Sequence, residues 1–143
     1  MEAVETAVQR RHRRLRHRLP TGTANLPADP QWLLDRVLTY AEAAKVPVTV
    51  ILDAQAYTAR TGVPVTPLTA GDCYTGPPGD RAAVRVIYLS PVLLPTRGVA
   101  ECVIAHEIMH ARWPSYGHRP IAFQRAQELL DHVGAVAQLT VAA

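Results

Sequence analysis

Residues 99–111 read Val-Ala-Glu-Cys-Val-Ile-Ala-His-Glu-Ile-Met-His-Ala, a run that is apolar on most sides of a helix. With Thr96 ahead of it and Trp113-Pro114 behind, the pattern predicts a core helix over about 96–112. Four ionisable residues interrupt it: Glu101, His106, Glu107 and His110. Burying ionisable groups side by side is expensive unless something pairs with them. Residues four apart lie one above the other on a helix, so His106 and His110 can aim two imidazoles at one point, where a metal ion would satisfy both.

His106-Glu107-Ile108-Met109-His110 has the form HExxH, in which the two histidines hold zinc and the glutamate works beside the metal. Glu107 sits about 100° around the helix from His106, close enough to take a proton from a water polarised by the ion. Peptide hydrolysis needs that activated water, a Lewis acid at the carbonyl and a proton carrier for the leaving amine. A core helix with two hydrogen-bonded histidines and a solvated glutamate is the bland alternative. It leaves the cost of the buried groups unexplained.

A zinc site of this kind takes a third protein ligand. His118 lies eight residues past His110, across a loop holding Pro114 and Gly117, and leads the candidates. Glu128 on the last helix is the alternative, with Asp131 and His132 behind it. The longer pattern HExxHxxGxxH needs glycine at 113 and histidine at 116, where this chain has Trp113 and Tyr116, so that class is excluded. Tyr116, Tyr74, Tyr88 and Arg112 are candidates for stabilising a developing oxyanion, with Tyr116, between two candidate ligands, placed first.

Upstream, Asp29-Pro30 supplies a cap and a first-turn proline, and Leu34, Val37, Leu38 and Ala41 follow at helical spacing, predicting a helix over 30–45. Val48 to Leu52 is a β-branched run read as a strand, and Asp53 caps a short helical turn ending near Gly62. Residues 71–75 and 82–89 flank Gly76-Pro77-Pro78-Gly79-Asp80 and predict a β-hairpin. In its second strand Val84, Val86 and Tyr88 share one face, and Ala83, Arg85, Ile87 and Leu89 the other. Ser90-Pro91 opens a brief turn, and Pro120 opens a last helix whose buried face is expected at Ile121, Phe123, Ala126, Leu130, Val133 and Ala137. The expected fold class is α+β: a small sheet beside one active-site helix, with a C-terminal helix completing the site.

At 143 residues, nearly half of them hydrophobic, the chain suffices for one core. Its net charge of +3 is local. Six arginines crowd into residues 10–18, and without them nine basic residues face twelve acidic ones. The expected organisation is an arginine-rich arm over 1–19, helical or disordered, a Thr/Gly/Asn/Pro linker over 20–29 and one domain over 30–143. Residues 10–18 read either as a solvated extension or as an arm contacting the phosphates of nucleic acid; no aromatic platform is interleaved with the arginines. Arginine outnumbers lysine 14 to 1, so its use there is a weak sign of phosphate recognition. Cys73 and Cys102 are too few for a disulfide framework and are expected as reduced thiols, a mutual disulfide or a cysteine ligand being the alternative. No apolar run approaches the roughly 20 residues that span a bilayer, and the N-terminus shows no signal-like apolar stretch. A cytoplasmic location is expected.

The stretch His106 to Ala111, with Gly117-His118 and Phe123 after it, resembles the SprT-like zinc metallopeptidases, which include the Spartan proteases. Ala70-Gly71-Asp72-Cys73 and Val86 to Pro91 resemble that family's hairpin, which enters the motif helix by a short turn. The likeness covers about residues 30–135, and its specific part is the metal motif. Arg119 stands where the family usually has glycine, and Phe123 lies five residues after His118 instead of four. The resemblance implies a compact zincin-like fold, Zn2+ held by His106, His110 and His118, Glu107 as general base, and a protein or peptide substrate. Two other functions stay open: an IrrE/ImmA-like regulatory peptidase with an acidic third ligand, and a nucleic-acid-binding module whose HExxH is accidental.

Overall fold

The computed structural model describes residues 24–77 and 84–142, with side chains through residue 134. The arginine-rich arm, the first part of the expected linker and the tip of the hairpin lie outside the described residues. Among the described residues the chain is α+β, with four α-helices and one three-stranded mixed sheet. Helix α1 (Pro30–Ala44) leads to strand β1 (Val48–Ile51), helix α2 (Ala54–Thr61), strands β2 (Gly71–Tyr74) and β3 (Arg85–Leu89), helix α3 (Arg97–Arg112) and helix α4 (Pro120–Ala142). Short 3-10 turns at Pro91–Leu93 and Pro114–Tyr116 flank α3.

The caps fall where the side chains dictate. Asp29 accepts from Trp32 N at 2.8 Å with Pro30 in the first turn, and α1 closes on Lys45 in the left-handed region. Asp53 accepts from Ala56 N, and Gly62 ends α2. Strand order is β1-β3-β2, with β3 antiparallel to β2 and parallel to β1. The antiparallel register sets Gly71 opposite Leu89 and Cys73 opposite Ile87.

Alternation along β3 sorts the sheet into two faces. Ile87 and Leu89 join the main core with α1, α3 and α4, while Val86 and Tyr88 pack with Tyr57 of α2 in a smaller cluster. Helix α3 is the centre of the main core: Ala100, Ile104, Ala105, Ile108 and Met109 are fully buried. On α4 the buried residues are Ala122, Ala126, Gln127, Leu129, Leu130 and Val133. This turns the expected face by part of a turn: Ile121 and Phe123 are only half-buried, and the side chain of Ala137 lies outside the described residues.

Three contacts tie α3 in place. Glu101, buried inside the apolar helix, accepts from Arg36 Nε and from Tyr40 Oη at 2.8 Å, so both carboxylate oxygens are paired to α1. Thr96 makes no side-chain cap, and the first free N–H groups are met by the chain ahead of α1 instead. Arg97 N donates to Leu26 O at 2.9 Å and Gly98 N to Ala24 O at 2.8 Å. Residues 24–28, in the stretch expected as linker, are thus docked on the motif helix, with Ala28 buried. At the other end Arg85 donates to Ala111 O at 3.2 Å and to Thr75 O at 2.8 Å, fastening the hairpin to the helix C-terminus, where a cation is favoured. Cys73 and Cys102 are both free thiols. Among the described residues no helix is long and apolar enough to cross a membrane.

Candidate metal centre

His106 and His110 lie one turn apart on α3, His106 buried and His110 half-buried. Their Nε2 atoms face each other at 2.8 Å. The third imidazole comes from beyond the helix. Trp113 caps α3, Pro114–Tyr116 make a turn, and Gly117 adopts φ 56°, a conformation that side-chain-bearing residues rarely take. That reversal carries His118 back, with its Nε2 3.2 Å from His110 Nε2. The ligand atoms of His106, His110 and His118 all lie within 4.8 Å of one another, close enough to bind a metal ion.

The donor set fits zinc. Zn–N bonds of about 2.0–2.1 Å at tetrahedral angles place nitrogens roughly 3.3 Å apart, which the 2.8 and 3.2 Å separations approach. His110 Nε2 sits within hydrogen-bond range of both partners, yet one N–H can point at only one of them. A cation at the centre would take one lone pair from each ring. Burial, with help from His118, holds the His110 imidazole down to about 4, so it is neutral at pH 7, the form that binds metal. Phe123, early in α4, packs on two of the rings, 6.0 Å from His106 and 6.5 Å from His118 between centroids.

Glu107 is buried on α3 beside His106. Burial pushes its carboxyl up to about 8, and the Asp72 carboxylate adds to the rise. A cation on the neighbouring histidines acts in the opposite direction. Asp72 itself accepts a hydrogen bond from Tyr57 Oη at 2.5 Å. Gly71 brings β2 against this part of α3. A Cβ at that position would lie 2.9 Å from Val103 Cγ1 and 3.1 Å from Glu107 Oε2.

The other sequence candidates have contacts of their own. Glu128 is exposed and engaged with Arg125 Nη1 at 2.7 Å and Gln124 Nε2 at 3.4 Å. Asp131 accepts from Gln127 at 2.7 Å, and His132 is exposed. Tyr116 stacks on Trp113, centroids 5.9 Å apart and planes 7° from parallel, with the Arg119 guanidinium over its ring. Tyr88 and Tyr74 belong to the cluster around Tyr57, and Arg112 lies over Trp113.

Two residues that sequence reasoning left without a role stand out. Arg119 folds back along the loop, donating from Nε to Tyr116 O at 3.2 Å and from Nη2 to Ser115 O at 2.9 Å. It braces the turn that presents His118. Gly71 is the other; its strand was legible, but what its missing side chain faces was not. Comparisons with protein-family models, with curated proteins and with solved structures return no match.

Proposed function

We propose that this protein is a zinc-dependent peptidase acting on protein or peptide bonds, with the ion held by His106, His110 and His118. The observation that carries this reading is the convergence of three Nε2 atoms next to a buried carboxylate, Glu107, that makes no ion pair with an arginine or lysine among the described residues. Its resemblance to SprT-like metallopeptidases supports the same conclusion.

Zinc supplies Lewis acidity at the scissile carbonyl and lowers the pKa of water towards 7. The protein's share is geometric and protonic. His106, His110 and His118 would hold the ion through three imidazole nitrogens, the ligand number of zinc sites that keep a position open for chemistry. Glu107, one residue from His106 and shielded from solvent, accepts the proton of the attacking water and returns it to the leaving amine nitrogen. The buttress of Phe123 and the brace of Arg119 hold the His118 ring, in the way outer contacts fix metal ligands elsewhere. A carboxylate-ligated site of the IrrE/ImmA kind is disfavoured by Glu128, whose oxygens are turned to Arg125 and Gln124.

The test is hydrolysis of fluorescein-labelled casein and of a quenched-fluorescent peptide library by the full chain. Activity should disappear with 1,10-phenanthroline and return on adding zinc. Hydrolysis indifferent to the chelator, or none with zinc bound, would defeat the reading.

A further inference from the structure

We propose that Gly71 is a positioning residue for Glu107: the side chain it lacks is the space in which the Glu107 carboxylate sits. The inference rests on Glu107 acting as general base. Gly71 is the first residue of β2, a place that alanine fills at less conformational cost, so glycine there calls for a reason. Backbone conformation is not that reason. The positive-φ glycines among the described residues are Gly62, Gly76 and Gly117, and Gly71 takes a backbone open to any residue.

What distinguishes Gly71 is what it faces. A Cβ there would stand 2.9 Å from Val103 Cγ1, 3.2 Å from Glu107 Cγ and 3.1 Å from Glu107 Oε2. Ordinary carbon contacts begin near 3.5 Å, so an added methyl must displace something. The strand cannot retreat, because Gly71 pairs with Leu89, which is fully buried in the main core. The helix cannot retreat either, held by Glu101 against α1 and by Arg85 at its C-terminus. Val103 is β-branched in a helix and confined to essentially one rotamer. Glu107 has the softer torsions, so its carboxylate is the part that gives way. Misplacing a catalytic group by about 1 Å can cost on the order of 100-fold in rate.

The experiment compares Gly71→Ala, Val103→Ala and the double variant in the full chain with zinc. It measures kcat and KM on labelled casein, zinc content, thermal midpoint and the crystal structure. Val103→Ala alone should keep wild-type kcat. Gly71→Ala should keep one zinc and a KM within about twofold while kcat falls on the order of 3- to 10-fold. The double variant relieves the valine contact but not the glutamate contact. It should therefore not recover kcat, with the Glu107 carboxylate displaced by a few tenths of an ångström.

Recovery of kcat in the double variant, or a Glu107 carboxylate that has not moved, would overturn the proposal. The crystallographic readout separates the two claims. A wild type that cleaves nothing defeats the peptidase reading, and the position of Glu107 in the double variant still decides for or against Gly71.

Discussion

Replacing Arg119 with alanine removes two hydrogen bonds to the backbone of the ligand-bearing loop, to Tyr116 O and Ser115 O, and a cation–π contact with the Tyr116 ring at 5.9 Å. Arg119 is exposed, so water competes for both bonds and each contributes about 0.5 kcal/mol, the low end for such interactions. The exposed cation–π contact adds about 0.5 kcal/mol more. Arg119 itself is exposed, and its contacts are with the loop alone. The missing order, about 1.5 kcal/mol in all, must be restored when metal binds, which reduces apparent affinity by the fraction of loop conformers that present His118. At 1.4 kcal/mol per tenfold, zinc Kd should weaken about 10-fold.

The assay is competition against a chromophoric chelator, with thermal melts of the chelator-treated protein alongside. Lysine at 119 keeps the charge but lacks the forked donors, so it should recover less than half of the loss. Arg112→Ala, which removes a cation lying over Trp113, serves as the control and should leave zinc Kd within twofold of wild type. An Arg119→Ala variant with unchanged Kd, or an equal loss in Arg112→Ala, would refute the idea that loop order sets His118.

Glu107→Gln should keep zinc at wild-type stoichiometry and lose roughly 100- to 10,000-fold in hydrolysis, the usual worth of a general base; wild-type turnover by this variant would remove Glu107 from that role. Arg36→Met leaves the buried Glu101 carboxylate with Tyr40 alone and should cost about 2–3 kcal/mol, at the low side for a buried pair because the arginine side chain is 24% exposed. Chemical denaturation measures it, and pairing the change with Glu101→Leu should restore most of the loss; a cost below 1 kcal/mol contradicts the bracing role. Deleting residues 1–19 should leave DNA affinity unchanged, as a solvated extension implies. A fall that takes with it a salt slope of about 5, near 0.9 per arginine, would instead assign the six arginines to phosphate contacts.

Local chemistry was the legible part of this fold. Asp29-Pro30, Asp53 and Gly62 act through residues three or four positions away, and each marks its helix end as expected. The hairpin and the two faces of β3 follow from period-two alternation, and the HExxH spacing is itself a statement about one helix face. What escaped the reading depends on distant partners. Nothing in Val48–Ile51 says that it will lie parallel to β3, and nothing near Glu101 names Arg36, 65 residues earlier, as its counter-ion. Residues 24–28 have linker composition, yet their carbonyls serve the free N–H groups of α3, a use of backbone that side-chain identity does not encode.

The candidate site divides along the same line. His106, Glu107 and His110 share one helix and could be read together. His118 could be ranked first from its place after a glycine-containing loop, but its convergence depends on the reversal at Gly117. Glu128 stayed a competitor because spacing cannot tell a ligand from a partner of Arg125. Gly71 read as the start of a hairpin strand; its neighbours Val103 and Glu107 are more than 30 residues away in sequence.

Elemental analysis of the full chain, purified without chelator and then titrated with zinc, tests the central claim most directly. The wild type should hold one equivalent of zinc, lost in His106→Ala and His110→Ala and weakened in His118→Ala, with Glu128→Ala unchanged. A wild-type protein that neither carries nor takes up zinc, or a His118→Ala variant that binds it as tightly as wild type, would contradict it.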